Sequence, residues 1–415
     1  LMVANRLGVE KLVMVGDKAQ LLSIEAGKAF SLIQSDNPAM ARLDTSLRQR
    51  TDHMKVAAGL ARSGNFKESF QSLGARVIEA GKDHLETAAK TWLALPDGDR
   101  DRTAIYSSGR DARASLNRMV QDGLRAEGKL TGEGKQLTTL LPAHATREEL
   151  RYTATYQKGQ VLDVVRRNAP DGLQRGRYQV QGIDSKDRVR LTDENGRKTT
   201  LDPSKIDPAD RRDALRLSEK HHETIYEGDK IRWTEKDDAR RLMKSEEAKV
   251  LGIKGGVVTI ENKLGETVEL KQNDKMLERM GLAYALNMHQ AQGDTRDMAI
   301  GEMHSSARHL SNQRLALVMM TRVRDDITIV TNDRERLLSQ IGRNPGDKTS
   351  ALETLGIKQI EETRETKAHA DFNPKIPDHL RGNGDKLPPL PNVDRESLRA
   401  VPQIDLPERN IERSR

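Results

Sequence analysis

The sequence predicts an α/β protein in which a parallel sheet flanked by helices is interrupted by two small antiparallel β-barrels and followed by a disordered tail. Three observations predict it. Short apolar runs such as Leu12-Val13-Met14-Val15 and Ile327-Thr328-Ile329-Val330 alternate with amphipathic segments, the texture of an α/β layer. Over residues 156–274 the texture changes to short Val-, Ile- and Thr-rich runs separated by Gly and Asp/Asn turns, as in antiparallel β structure. Beyond Arg343 lie eight of the 14 prolines amid dense charge, too little apolar material for a packed core.

Composition narrows the function classes. A chain of 415 residues holds more than one domain. The net charge of +7 suits a nucleic-acid partner, but with 70 basic against 63 acidic side chains any basic footprint is local, and an ordinary mixed-charge surface fits equally well. Cysteine is absent, which excludes disulfides, thiolate metal sites and a Cys nucleophile, and fits a reducing compartment. No apolar run of about 18 residues occurs, so no membrane insertion is expected and the cytoplasm is the expected location. The chain opens at Leu1 in what reads as the middle of a helix, and it reads as a fragment.

In order along the chain, residues 11–15 read as a buried parallel strand ending in Gly16-Asp17, at the sheet edge where α/β proteins bind ligands. Residues 36–80 read as largely helical, with Met54, Ala57, Ala58 and Ala61 at helical spacing. Thr103-Ala104-Ile105-Tyr106 reads as a strand, followed by a turn and a helix capped by Asp111 with Leu116, Met119, Val120 and Leu124 on one face. The antiparallel region carries an internal repeat at an offset of 69 or 70 residues. Tyr156-Gln157-Lys158-Gly159 is echoed by Ile225-Tyr226-Glu227-Gly228, Val180-Gln181-Gly182-Ile183 by Val250-Leu251-Gly252-Ile253, and Leu201 by Leu270. Two tandem barrels result, 156–207 and 225–274, joined by a charged stretch over 208–224 expected to be helical. Strands then follow over 282–288, 298–301 and 327–330, with a helix over 312–321 and a second, capped by Asn332, over 333–341.

Four segments carry candidate chemistry. Gly16-Asp17-Lys18-Ala19-Gln20-Leu21 sets a carboxylate and an amide at a strand end, where Gln20 can bond a γ-phosphate or an attacking water. In Leu47-Arg48-Gln49, Arg48 can clamp a phosphate or lie as a surface cation on a helix. In His289-Gln290-Ala291-Gln292-Gly293, Gly293 permits close backbone approach to a phosphate or sugar, and His289 and Gln290 offer donors to DNA. In Thr321-Arg322-Val323-Arg324, Arg322 can act as an arginine finger, while Arg324 suits a helix C-terminus. Aromatic residues are scarce at 3%, and the base-stacking candidates are Trp233, Tyr284 and Tyr106. For Trp233, barrel core and DNA contact both fit the alternation of its strand. No G-x-x-x-x-G-K-[ST] phosphate loop occurs in the chain.

Taken in this order, the four segments resemble motifs III, IV, V and VI of superfamily 1 DNA helicases, most closely the RecD-like, 5′-to-3′ branch. Ser115-Leu116-Asn117-Arg118 resembles that branch's R-x-x-L-N helix, and Gly228-Asp229-Lys230-Ile231-Arg232-Trp233-Thr234 resembles the opening of its inserted Src-homology-type barrel. Within the branch, the doubled barrel and Gly176-Arg177-Tyr178-Gln179-Val180 look most like the helicase part of conjugative relaxase-helicases of the TraI type. The resemblance spans residues 1–342. One departure stands out: relatives commonly have Lys or Arg and then Ser where this chain has Gln290-Ala291, which weakens a phosphate contact there.

The resemblance implies a RecA-like organisation: 1–34 the end of a first motor domain, 35–155 and 275–342 the second, 156–207 and 225–274 two inserted barrels about a linker at 208–224, and 343–415 a disordered tail. It implies ATP as cofactor with Mg2+ bound mainly by an upstream part, and single-stranded and duplex DNA as partners, with conjugative secretion machinery as a further one. Arg322, Gln20 and Arg48 become catalytic candidates, Asp17 and Gly293 cofactor-binding ones, and His289, Gln290, Gln292 and Trp233 DNA-binding ones, with no metal ligand assigned. The chain alone is expected to hydrolyse no ATP. A RecD-like repair helicase, or a motor remnant serving as a DNA-binding or secretion-recognition module, are the alternatives.

Overall fold

The computed structural model describes residues 6–9, 13–17, 30, 33–34, 41 and 46–346, apart from 108, 144, 166–169, 209–214, 289–294 and 308–309. In chain order these form α1 (Asp52–Arg62), α2 (Phe66–Leu73), β1 (Val77–Glu79), α3 (His84–Leu93), α4 (Asp97–Arg102), β2 (Thr103–Ser107) and α5 (Arg110–Ala126). Then come β3 (Thr131–Pro142), β4 (Val161–Val164), β5 (Gly176–Ile183), β6 (Val189–Asp193), β7 (Lys198–Leu201), β8 (Leu215–Glu227) and β9 (Lys230–Trp233). The remainder are β10 (Glu247–Lys254), β11 (Val257–Glu261), β12 (Thr267–Leu270), β13 (Met280–Leu282), β14 (Ala285–Leu286), β15 (Arg296–Met303), α6 (Gln313–Thr321), β16 (Val323–Thr331) and α7 (Arg334–Arg343). The described residues fall into two compact units, one formed by those up to 123 and from 285 onward, the other by 124–284.

The first unit is built on a parallel five-stranded sheet in the order β1-β16-β15-β2-β14. Its central strands read as continuous apolar runs because both faces are covered; Ile105, Tyr106, Ile327, Ile329 and Val330 are all buried. Met54, Ala57, Ala58 and Ala61 form the buried stripe of α1, as their spacing requires. On α5, Leu116, Val120 and Leu124 are buried but Met119 points outward. The α6 helix is capped by Asn312, whose side chain accepts from Leu315 N at 3.0 Å.

Several expectations need correction. Residues 13–17 take no regular secondary structure and are exposed, Val15 at 94%. An apolar run becomes a strand only when a neighbour takes up its backbone groups, and among the described residues none of the five strands pairs with it. Residues 36–80 are not wholly helical: Val77-Ile78-Glu79 pairs with Ile329-Val330-Thr331 as the edge strand β1. Asp333, not Asn332, caps α7, accepting from Arg336 N at 2.9 Å; Asn332 instead receives Ser305 N at 2.7 Å.

Gly301 sits mid-strand in β15 facing α6, where an added methyl would run into the fully buried Met319 side chain. Gly301→Ala is therefore expected to cost about 1–3 kcal/mol through overpacking. A lowered urea midpoint at unchanged slope is the expected reading, and an unchanged midpoint would refute the close packing.

The second unit holds two antiparallel sheets, β3-β8-β4-β5-β6-β7 and β12-β11-β10-β9-β13. The internal repeat is visible bond by bond. Gly159 N donates to Val180 O at 2.9 Å, and Gly228 N to Val250 O at 2.8 Å. Gln160 accepts from Gln157 N at 2.8 Å, and Asp229 at the equivalent place from Tyr226 N at 2.7 Å. Each copy has a register shift at the same glycine, between Val180 and Gly182 and between Val250 and Gly252. Asp193 and Asn262 close the matching turns by accepting two backbone N–H groups each. Val180, Leu191 and Leu201 fill one core, and Val250, Ile260 and Leu270 the other.

The stretch expected to be a helical linker contributes most of the 13-residue strand β8, which lies against β3 with Leu137 opposite Glu223 and Leu141 opposite Glu219. Pairing with β3 overrides the helical preference of the charged run. Antiparallel structure therefore starts at Thr131, earlier than the expected 156. Arg177 bridges Asp163 at 2.9 Å and Glu278 at 2.6 Å, and Arg279 also reaches Asp163, so charged groups join the two sheets.

Candidate active site

The site is assembled at the N-terminal edge of the parallel sheet. Arg322 is the C-cap of α6, at φ −90° and ψ −8°, and is 8% exposed. The last carbonyls of any helix lack partners within the helix and carry partial negative charge. Here a distant segment supplies the donors. Arg48 Nη1 donates to Thr321 O at 2.6 Å across 273 residues of sequence. Arg50 N donates to Arg324 O at 2.8 Å, running residues 46–50 alongside the start of β16.

Arg48 stands among like charges. Burial and the Arg322, Arg62 and Arg324 guanidinium groups hold Arg48 below the ordinary arginine range. Like charges gathered in this way are relieved by a bound anion. Two neighbouring cations are already engaged: Arg50 bonds Asp325 at 2.6 Å and Asp297 at 2.6 Å, and Arg324 reaches Asp297 at 3.2 Å. Beneath them, Asp326 accepts from His53 at 3.0 Å and Arg76 at 2.6 Å. Burial alone would push the Asp326 carboxyl up, but His53 and Arg76 hold it below the usual carboxylate range.

At the opposite, C-terminal edge, Ser107 Oγ donates to Glu302 at 2.6 Å, and His84 lies 3.4 Å from the other Glu302 oxygen. The Glu302 carboxylate raises His84 above the ordinary histidine range, while burial and His84 push His304 down.

Of the candidate residues, the structure brings Arg48 and Arg322 together. Asp17 lies in the exposed, irregular segment 13–17. Gln20, His289, Gln290, Gln292 and Gly293 lie outside the described residues. Trp233 is 2% exposed and resolves to the core alternative, so it offers no face to a base; Tyr284 and Tyr106 are likewise buried. Tyr284 instead donates its hydroxyl to the buried Asp229 at 2.6 Å. Tyr152 is an aromatic that is exposed, at 58%. Sequence reasoning missed Arg50, Asp297, Asp325 and Asp326, whose partners are too distant in sequence to be read from spacing.

Comparison with known proteins bears on two stretches. Residues 139–225 match the family described as DNA relaxase TraI 2B/2B-like domain, a match that begins within β3 and ends within β8. Residues 1–81 match an AAA domain, which takes in both Gly16–Leu21 and Leu47–Gln49. The multifunctional conjugation protein TraI of Escherichia coli is 23% identical over 265 residues, covering 62% of this chain and 14% of that protein. The conjugal transfer protein TraA of Rhizobium radiobacter is 34% identical over 133 residues, covering 31% of this chain and 12% of that protein. The chain is a distant relative of the conjugation proteins TraI and TraA. It spans about a seventh of that TraI and about an eighth of that TraA. Among solved structures, a Bacteroides Pif1 helicase in complex with ADP-AlF3 and ssDNA aligns over 79% of this chain and 56% of that one, with 11% identity and a TM-score of 0.36. The TraI-type resemblance read from the motifs thus agrees with the relatives found by comparison.

Proposed function

We propose that this chain is part of an ATP-dependent 5′-to-3′ DNA helicase that drives strand transfer in conjugation. In this reading Arg48 and Arg322, with Gln20, face the γ-phosphate of an ATP whose other phosphates are held by a phosphate loop outside this sequence. The observation that carries it is the meeting of Arg48 and Arg322, from segments 273 residues apart at their contact, in one cluster of like charges. An arginine cluster of this kind fits a triphosphate. In this reading the Mg2+ that accompanies ATP is held mainly by the same part outside this sequence. The conjugation proteins among the relatives favour transfer over repair as the setting. Among the described residues no helix is long and apolar enough to cross a membrane.

The test is a salt titration of single-stranded DNA binding by this chain. A negative log-log slope of several units is expected if Lys and Arg side chains displace counterions from phosphates, about −0.7 per contact. A slope near zero would refute a DNA-tracking surface. The same chain, having no phosphate loop in its sequence, is expected to hydrolyse no ATP, and DNA-stimulated hydrolysis by it would overturn the assignment of roles.

A further inference from the structure

We propose that Gln49 is a positioning residue that fixes the direction of the Arg322 guanidinium. Gln49 is 3% exposed, and its amide nitrogen donates to Thr321 O at 3.3 Å and Val323 O at 3.0 Å. These are the carbonyls on either side of Arg322. The amide oxygen accepts from Ser46 Oγ at 2.7 Å, so both ends of the side chain are held and its orientation is set by its partners.

Arg322 needs such a clamp. Its backbone, at φ −90° and ψ −8°, is where the chain leaves α6 for β16, so the direction of its side chain depends on how the two flanking peptides are held. Helix termini fray unless their last carbonyls are satisfied. The Arg322 N–H bonds Val318 O at 3.0 Å and its carbonyl receives Arg296 N at 3.1 Å, which fixes the helix side and the sheet side of the residue. Gln49 adds the link between the two flanking peptide planes. Because Arg48 donates to the same Thr321 carbonyl, the Gln49 amide also sets the separation of Arg48 from Arg322. Gln49 touches no phosphate in this scheme; it acts through the backbone of Arg322. The role rests on the phosphate site proposed above.

Two measurements on this chain test it, with Gln49→Met as the near-isosteric variant lacking both donors. The first is the affinity for inorganic tripolyphosphate in a double-mutant cycle. Gln49→Met is expected to weaken binding on the order of tenfold to a hundredfold, the range in which misplaced groups lose function. In an Arg322→Ala background it is expected to add almost nothing, since residues acting as one unit are non-additive. Equal losses in both backgrounds would mean general damage and overturn the proposal. The second is the Nε–Hε resonance of Arg322, expected to be single in the parent chain and to broaden or split in Gln49→Met, while that of Arg50 stays unchanged. An unaltered Arg322 signal would overturn the proposal. Failure of the parent chain to bind tripolyphosphate would instead sink the phosphate-site reading, with the resonance still deciding whether Gln49 orders Arg322.

Discussion

Arg322→Ala is expected to lower the DNA-stimulated ATPase rate of the phosphate-loop-bearing protein by about 10³-fold or more, the scale of a lost arginine finger. The KM for ATP should change far less, because a finger stabilises charge that develops only in the transition state. Arg322 is the proposed finger on geometry: it is buried, it ends a helix, and its guanidinium lies close enough to Arg48 to help hold that group below the ordinary arginine range. Arg324, two residues on, provides the control. It is partly exposed and paired with Asp297 at 3.2 Å, so Arg324→Ala should cost less than about tenfold, in line with a surface ion pair. Comparable losses for the two variants would remove the distinction between finger and surface cation. A loss below tenfold for Arg322→Ala would remove the finger itself.

The sequence separates these two arginines by helix geometry, but α6 ends at Thr321 and Arg324 lies in β16, so what sets them apart in the structure is burial: Arg322 is 8% exposed and Arg324 is exposed beside Asp297. That Arg48 would meet Arg322 was not legible from residues alone; only the order of motifs suggested it. Their contact depends on 273 intervening residues folding so that segment 46–50 runs beside β16. The Gln49 clamp was less legible still. Its partners are backbone carbonyls, which leave no mark in a sequence, and an amide beside an arginine reads as part of the same motif.

In the fold, the buried runs Thr103–Tyr106 and Ile327–Val330 were read as strands because they carry their own apolar signal, whereas the less buried start of β16, Val323–Asp326, was read as the end of the preceding helix. The repeat was legible because each copy keeps its glycine, its turn carboxylate or amide and its core positions at one offset. Elements whose conformation is decided by a partner were misread. The run Leu12-Val13-Met14-Val15 looks like a strand, yet its described part, Val13 to Val15, takes no regular secondary structure and pairs with no strand among the described residues. Glu219-Lys220-His221-His222-Glu223 looks like a solvated helix and is a strand because β3 lies alongside. Local propensity is a weak guide where one cross-strand neighbour is enough to reverse it.

Asp163→Ala is expected to destabilise the second unit by about 3 kcal/mol, the cost of removing one member of a buried ion pair. Asp163 stands at 8% exposure between the Arg177 and Arg279 guanidinium groups. Arg177 keeps its bond to Glu278 at 2.6 Å, but the charge balance of the group shifts, and two cations then face each other across the joint between the sheets. The joint is where the two copies of the repeat differ in use. β4 and β5 of the first copy present Asp163 and Arg177, whereas the turn after the second copy presents Glu278 and Arg279. Loss of Asp163 should thus lower the urea midpoint of the whole unit as one transition, rather than separate it into two. An exposed pair gives the comparison: Asp238→Ala, which frees Lys236 at the surface, should shift stability by no more than about 0.5 kcal/mol. If Asp163→Ala behaves like Asp238→Ala, the network between the sheets contributes only what exposed charges contribute, and apolar packing alone holds them together.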